Sequence, residues 1–161
     1  MGIPTPLRPQ ARAERNRRFA AALSAELWRT GSEGQRKQEV TMILIIGGAY
    51  QGKLDYAKET LGITDSDVHI CDAGNIDFSK RCIYKIEEFT YNHPDPIGYF
   101  QEHREAWQDS SLILQDIFCG VVPMGAENRA WRQRTGRLSQ YLSKEANQVS
   151  RIFCGLEQRL K

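Results

Sequence analysis

Gly47, Gly52 and Lys53 stand in the spacing G-x-x-x-x-G-K, directly after the apolar run Ile43, Leu44, Ile45, Ile46 and before the helix-forming stretch DYAKETLG. Strand, glycine-rich turn and helix in that order are the setting in which this spacing binds phosphate. Glycines let backbone N–H groups turn inward around phosphate oxygens, and the helix N-terminus adds a partial positive charge. The ammonium of Lys53 would reach the β- and γ-phosphates of ATP or GTP. The expected cradle is Gly47, Gly48, Ala49, Tyr50, Gln51, Gly52, Lys53 and Leu54. The spacing calls for a Ser or Thr hydroxyl after the lysine to hold Mg²⁺, and Leu54 has none, so the expected Mg²⁺ needs another ligand. A plain glycine-rich turn is the competing reading of the same letters.

A second candidate follows from Leu112, Ile113 and Leu114, a buried-strand run that ends in Gln115 and Asp116. An acid at such a strand end can hold Mg²⁺ or orient an acceptor hydroxyl beside bound phosphates. Capping of the following turn is its ordinary alternative role. Lys53 and Asp116 are therefore the expected catalytic residues, with Asp116 also the expected metal ligand. Asp72, which follows Val68, Ile70 and Cys71, is a weaker candidate at the end of another strand. Arg129, Arg132, Arg134 and Arg137 surround the apolar stripe of a long helix; most read as a solvated face, with one or two near the helix start able to meet phosphate.

The elements that must position these groups can be read from periodicity. Tyr56, Ala57, Thr60 and Leu61 predict a short amphipathic helix closed by Gly62. DVHICDA predicts a strand, while residues 75–95 read as a helix, or as a helix with a short strand, before the polar turn NHPDP. PIGYFQEHREAWQD predicts one helix with Ile97, Phe100, Trp107, Tyr99 and Arg104 along its inner edge. SLILQD is a buried strand, FCGVVPMGAEN a loop, and RAWRQRTGRLSQYLSKEANQV the longest helix, with Trp131, Leu138, Tyr141, Leu142, Ala146 and Val149 at helical spacing. Gly136 inside that helix reads as a site of close packing on the sheet. SRIFCG is the last strand, and LEQRLK ends the sequence. The order predicts an α/β fold, a three-layer P-loop NTPase-like arrangement around a mostly parallel central sheet, with nucleotide at the C-terminal ends of the strands.

Composition sets the bounds. Of 22 Lys/Arg and 20 Asp/Glu, residues 1–41 hold eight and four, so within the formal charge of +2 that segment stands at +4 and the remainder at −2. That balance gives residues 42–161 no nucleic-acid footprint. Residues 1–41 read as a basic, weakly helical, poorly ordered extension, and an internal start at Met42 would give a complete domain. No apolar run is long enough to span a bilayer and no secretory signal is evident, so a cytoplasmic location is expected. Cys71, Cys82, Cys119 and Cys154 lack metal or redox spacing and read as reduced, mostly buried thiols.

GGAYQGK near the start of the domain, then GVVP, ENR, TGRLSQYL, EANQV and CGLEQRLK, together resemble the adenosylcobinamide kinase/adenosylcobinamide-phosphate guanylyltransferase family. The resemblance runs from Met42 to Lys161 and is strongest from Leu112 onward. It implies an enzyme of cobalamin (cobamide) assembly: a nucleoside triphosphate phosphorylates the aminopropanol hydroxyl of a corrinoid substrate, adenosylcobinamide, and GTP then donates GMP to that phosphate. It implies a homo-oligomer as well. Gly47, Gly48, Gly52 and Lys53 match the family's phosphate loop, Asp116 takes the place of its glutamate, and Gly120, Val122 and Pro123 match its turn. Leu54 replaces the loop serine and Phe118 the first glycine of the later motif. The family's guanylylated histidine lies in a basic segment after the second strand, and residues 73–90 contain none; His69, His93 and His103 fall elsewhere. A kinase for another small alcohol and a non-catalytic nucleotide-binding protein are the alternatives on the residues alone.

Overall fold

A computed structural model of the protein describes residues 41–161; the expectation of a basic extension before Met42 lies outside them. The described residues form an α/β fold built on six strands in the order β2-β3-β4-β1-β5-β6. In chain order these are β1 Ile43–Gly47, β2 Val68–Ile70, β3 Cys82–Tyr84, β4 Ser111–Gln115, β5 Gln148–Phe153 and β6 Leu156–Arg159. All neighbours run parallel except β6, which is antiparallel to β5. The helices are α1 Lys53–Leu61, α2 Ile86–Asn92, α3 Pro96–Glu102, α4 Arg104–Trp107 and α5 Ala126–Glu145.

The continuous apolar runs of β1 and β4 arise because both faces of the sheet are covered, as in parallel sheets generally. Leu44, Leu112 and Leu114 pack with Phe89, Phe100, Trp107, Leu138 and Leu142 from α2 to α5. Ile45 and Ile113 face the other way and pack with Ala57 of α1, together with Ile63 and Ile152. Leu54 is in this second cluster. The result is a sheet between two helical layers, α1 on one side and α2 to α5 on the other. Among the described residues no helix is long and apolar enough to cross a membrane.

Four expectations are corrected here. The stretch 96–109 is two helices: at His103 the backbone (φ −101°, ψ 18°) leaves helical geometry, and Trp107 Nε1 donates to the Phe100 carbonyl at 2.7 Å across the corner. Arg104 lies on the outside and pairs with Glu145 of α5. The long helix stops at Glu145, so Ala146 is its C-cap and Val149 belongs to β5; an apolar residue three positions on satisfied the helical spacing by coincidence. LEQRLK is not a tail but carries β6, formed because Cys154 and Gly155, both at positive φ (50° and 75°), turn the chain back on β5. A Cβ on Gly136 would meet only the Phe118 ring, at 3.9 Å, an ordinary contact. Close packing therefore does not require that glycine.

The cysteines divide evenly. Cys71 and Cys82 are buried, and burial raises their thiols to about 12 and about 11; Cys119 and Cys154 are exposed, and all four are free.

Candidate functional site

The chain leaves β1 toward α1 on one face and leaves β4 toward α5 on the other. β1 and β4 are neighbours in the sheet, with Gly47 beside Gln115 in register. Two adjacent strands whose exits diverge open a crevice at their C-terminal ends, where α/β proteins bind ligands. The crevice here is bordered by the loop 48–52 and by the loop that follows Asp116.

The first loop turns tightly. Tyr50 at its tip has φ 58° and is fully exposed, and Gly52, with φ 83°, supplies the left-handed residue before α1. Lys53 opens α1, but its side chain folds back over the loop, so that Nζ donates to the Gly48 carbonyl at 2.6 Å. Its methylenes cross Gly47, where a Cβ would stand 3.3 Å from them and 2.5 Å from the Ile152 carbonyl oxygen. Gly47 thus has a steric reason that the motif spacing alone does not state. Gln51 fastens the loop to the β5–β6 turn: its carbonyl accepts Gly155 N–H at 3.1 Å and its side-chain Oε1 accepts Cys154 N–H at 2.5 Å.

Asp116 extends the β1–β4 ladder by donating its N–H to the Gly47 carbonyl at 2.9 Å, which brings it beside the loop as the strand-end reading expects. Its carboxylate also has the ordinary role: Oδ1 accepts Cys119 N–H at 3.2 Å and Oδ2 accepts the Cys119 thiol at 3.1 Å. The Asp116 hydrogen bond and charge hold that thiol above its usual range.

One acid of the site escapes sequence reading. Glu87, in the first turn of α2, is 3% exposed, and its Oε2 accepts the Gln115 N–H at 2.9 Å. Burial raises its carboxyl above the ordinary range, while the Gln115 N–H, its own N–H and the Lys53 charge pull it back. Burial lowers the Lys53 ammonium in turn, opposed by the charges of Glu87 and then Asp116. Lys53, Glu87 and Asp116 are therefore one electrostatic group, assembled from α1, α2 and the end of β4. The signal for Glu87 was an acid bracketed by Ile86 and Phe89, both buried, three residues beyond a strand end.

Other candidates are placed apart. Asp72 follows β2, the sheet edge, with β3 and β4 between it and β1, and its Oδ1 accepts Gly74 N–H at 2.7 Å. Arg132 donates to the carbonyls of Cys119, Gly120 and Val121, Arg129 to those of Pro123 and Met124, and Arg134 to those of Thr90 and Tyr91. Arg129 and Arg132 thus hold the 119–124 loop and Arg134 the end of α2, while Arg129 and Arg137 are exposed as a solvated face would have them. His93 stacks on Phe89, with ring centroids 4.8 Å apart, and its Nδ1 is buried with no hydrogen-bond partner among the described residues. His103 Nδ1 donates to the Tyr99 carbonyl at 2.8 Å, and His69 lies in β2.

For Mg²⁺ the donor set is sparse, since among the described residues no three His, Cys, Asp or Glu side chains converge. Mg²⁺ is nevertheless commonly held by one or two carboxylates with substrate phosphates and waters completing its shell. Asp116 fits that demand, because each of its oxygens accepts only one bond from Cys119 and retains a lone pair. No family model matches the chain, and no curated protein matches it.

Proposed function

We propose that this chain is a P-loop NTPase-like, nucleotide-dependent transferase of cobamide assembly that phosphorylates adenosylcobinamide with ATP or GTP. The observation that carries nucleotide binding is the loop 48–52 at the crevice between β1 and β4, with a lysine opening α1 and an acid following the neighbouring strand. Backbone N–H groups of that loop and the N-terminus of α1 would receive the phosphates. Lys53 would exchange the Gly48 carbonyl for β/γ-phosphate oxygens, and the triphosphate charge would offset the desolvation that lowers its ammonium. Mg²⁺, held by Asp116 and the phosphates, would neutralise charge on the transferring group. Positioning and electrostatic stabilisation then supply most of the acceleration. The corrinoid acceptor rests on the sequence resemblance between Met42 and Lys161.

The second activity that the resemblance implies, GMP transfer, lacks its histidine in residues 73–90. A specific observation also favours a binding protein without catalysis: Leu54, where a metal-binding hydroxyl would stand, packs in the apolar cluster under α1.

The deciding experiment incubates the full chain with Mg²⁺, ATP or GTP and adenosylcobinamide, and follows the corrinoid by mass spectrometry. Phosphorylated corrinoid is expected. Phosphate transfer to a different small alcohol instead would redirect the reading to another kinase. Tight nucleotide binding without turnover, and without dependence on Mg²⁺, would establish the binding protein.

A further inference from the structure

Among the described residues β6 is the terminal strand of the sheet, and Leu156, Glu157, Gln158 and Arg159 are all exposed. Its inner side pairs Phe153 with Leu156, Ile152 with Glu157, Arg151 with Gln158 and Ser150 with Arg159. The two-residue turn makes Phe153 and Leu156 the closing hydrogen-bonded pair, and hydrogen-bonded and non-hydrogen-bonded pairs alternate from there. Leu156 and Gln158 therefore direct their backbone groups to β5, as does Leu160, whose N–H reaches the Val149 carbonyl at 2.8 Å. Glu157 and Arg159 direct theirs to the free edge. Side chains alternate too: Glu157 and Arg159 share the α1 face with Ile152, while Leu156 and Leu160 stand on the other face with Phe153. Phe153, Leu156 and Leu160 are exposed large apolar residues, at 61%, 68% and 55%.

We propose that β6 pairs antiparallel with β6 of a second copy of this chain, about a two-fold axis through Gln158. Two physical conditions select that register. Only outward-facing backbone groups can bond across the edge, so an axis within the strand must set residue 157, 158 or 159 opposite itself. An axis at Glu157 apposes two carboxylates and one at Arg159 two guanidiniums, and like charges directly opposite destabilise a pair. The axis at Gln158 sets Glu157 against Arg159 of the second copy twice, and Leu156 against Leu160 of the second copy twice. The segment Leu156-Glu157-Gln158-Arg159-Leu160 is thus self-complementary in charge and in apolar character. Within one chain Arg159 Nε already donates to Glu157 Oε1 at 3.1 Å, so each carboxylate would be shared by two guanidiniums. The pairing would also cover an edge that otherwise invites unspecific strand addition.

Sedimentation velocity on the full chain tests this. The wild type is expected at twice 18.4 kDa and Arg159→Glu at 18.4 kDa; the double variant Glu157→Arg/Arg159→Glu, which restores opposite charges across the same axis, should return to the dimer. Arg159→Pro provides a check independent of charge, because it removes an N–H that faces the free edge and leaves the β5 ladder intact; a monomer with an unchanged circular dichroism spectrum is expected. In Gln158→Cys, mild oxidation should give a 158–158 crosslink identifiable by peptide mass. A wild type that stays monomeric across a wide concentration range, or a dimer indifferent to both Arg159→Glu and Arg159→Pro, overturns the proposal.

Discussion

The Glu87 carboxylate accepts the Gln115 N–H at 2.9 Å, and Gln115 is the residue of β4 that lies beside Gly47 of β1. A buried acid on α2 is thereby bound to the strand end next to the glycine loop. Burial raises its carboxyl, so the folded state holds the proton more tightly than the unfolded chain does. The sign follows: Glu87 favours folding below its ordinary value of 4.5 and loses that contribution as pH rises through its raised one. Glu87→Gln retains an oxygen for the Gln115 N–H and has no charge to desolvate. Its melting temperature should match the wild type in acid and exceed it at neutral pH, the gap opening as pH climbs above the ordinary glutamate range. A gap of constant size from acid to neutral pH would mean that Glu87 does not titrate in this way.

Two glycines should respond in opposite directions to alanine. At Gly47 the new Cβ would stand 2.5 Å from the Ile152 carbonyl oxygen, a clash between two strands that cannot relax without moving backbone. Overpacking of this kind costs about 1–3 kcal/mol. At Gly136 the new Cβ touches only a ring at an ordinary distance, and the helix gains about 1 kcal/mol. Urea denaturation of the two variants reads both signs. Stabilisation by Gly47→Ala, or destabilisation by Gly136→Ala, would contradict the packing described for these positions.

Much of this architecture was legible because the strong signals are local. Ile43 to Ile46 and Leu112 to Leu114 are continuous apolar runs, and Gly62 closes α1 in the left-handed conformation expected of a C-cap, φ 63°. The glycine loop and Asp116 were legible for the same reason. What stayed open or was missed depends on distant partners. β3 is only three residues, Cys82–Tyr84, and exists because β2 and β4 flank it. β6 alternates charged with neutral residues and carries no strand run of its own, so only the turn at Cys154–Gly155 reveals it. Glu87 gains meaning from Gln115, which lies 28 residues away in the chain. Arg129 and Arg132 looked like part of a solvated face until the carbonyls of residues 119–124 supplied their partners, and Arg134 until the end of α2 did.

Lys53→Ala should separate triphosphate from monophosphate binding. The ammonium now donates to Gly48, and on nucleotide binding it would turn to the β/γ end, leaving a monophosphate to the loop N–H groups. A charge-assisted hydrogen bond is worth about 1.5–3 kcal/mol, so the triphosphate should weaken by about 10- to 100-fold. The monophosphate should change little. Calorimetric titration with GTP and GMP, or ATP and AMP, measures the two losses. Equal losses would place the lysine away from the β/γ end.

The last prediction concerns a covalent step. Transfer of GMP through the enzyme needs a histidine whose ring nitrogen reaches the α-phosphate, accepts the nucleotide and passes it on. His69 lies in β2, with β3 and β4 between it and β1, and its Nε2 is buried without a partner among the described residues. His103 has its Nδ1 committed to the Tyr99 carbonyl. His93 follows α2, yet its ring stacks on Phe89 and lies tilted against Tyr99, with centroids at 4.8 and 5.2 Å, and its Nδ1 is buried. Freeing that ring would open an aromatic cluster which also holds Phe78, Phe100 and His103. We therefore expect no stable guanylylated protein after incubation with GTP and Mg²⁺, while binding of GTP or ATP persists. Intact-mass spectrometry after desalting measures this directly. A mass increase of one GMP that disappears in His93→Asn would instead show that α2 and its aromatic neighbours rearrange to deliver the ring, and would restore the second activity of the family that the sequence resembles.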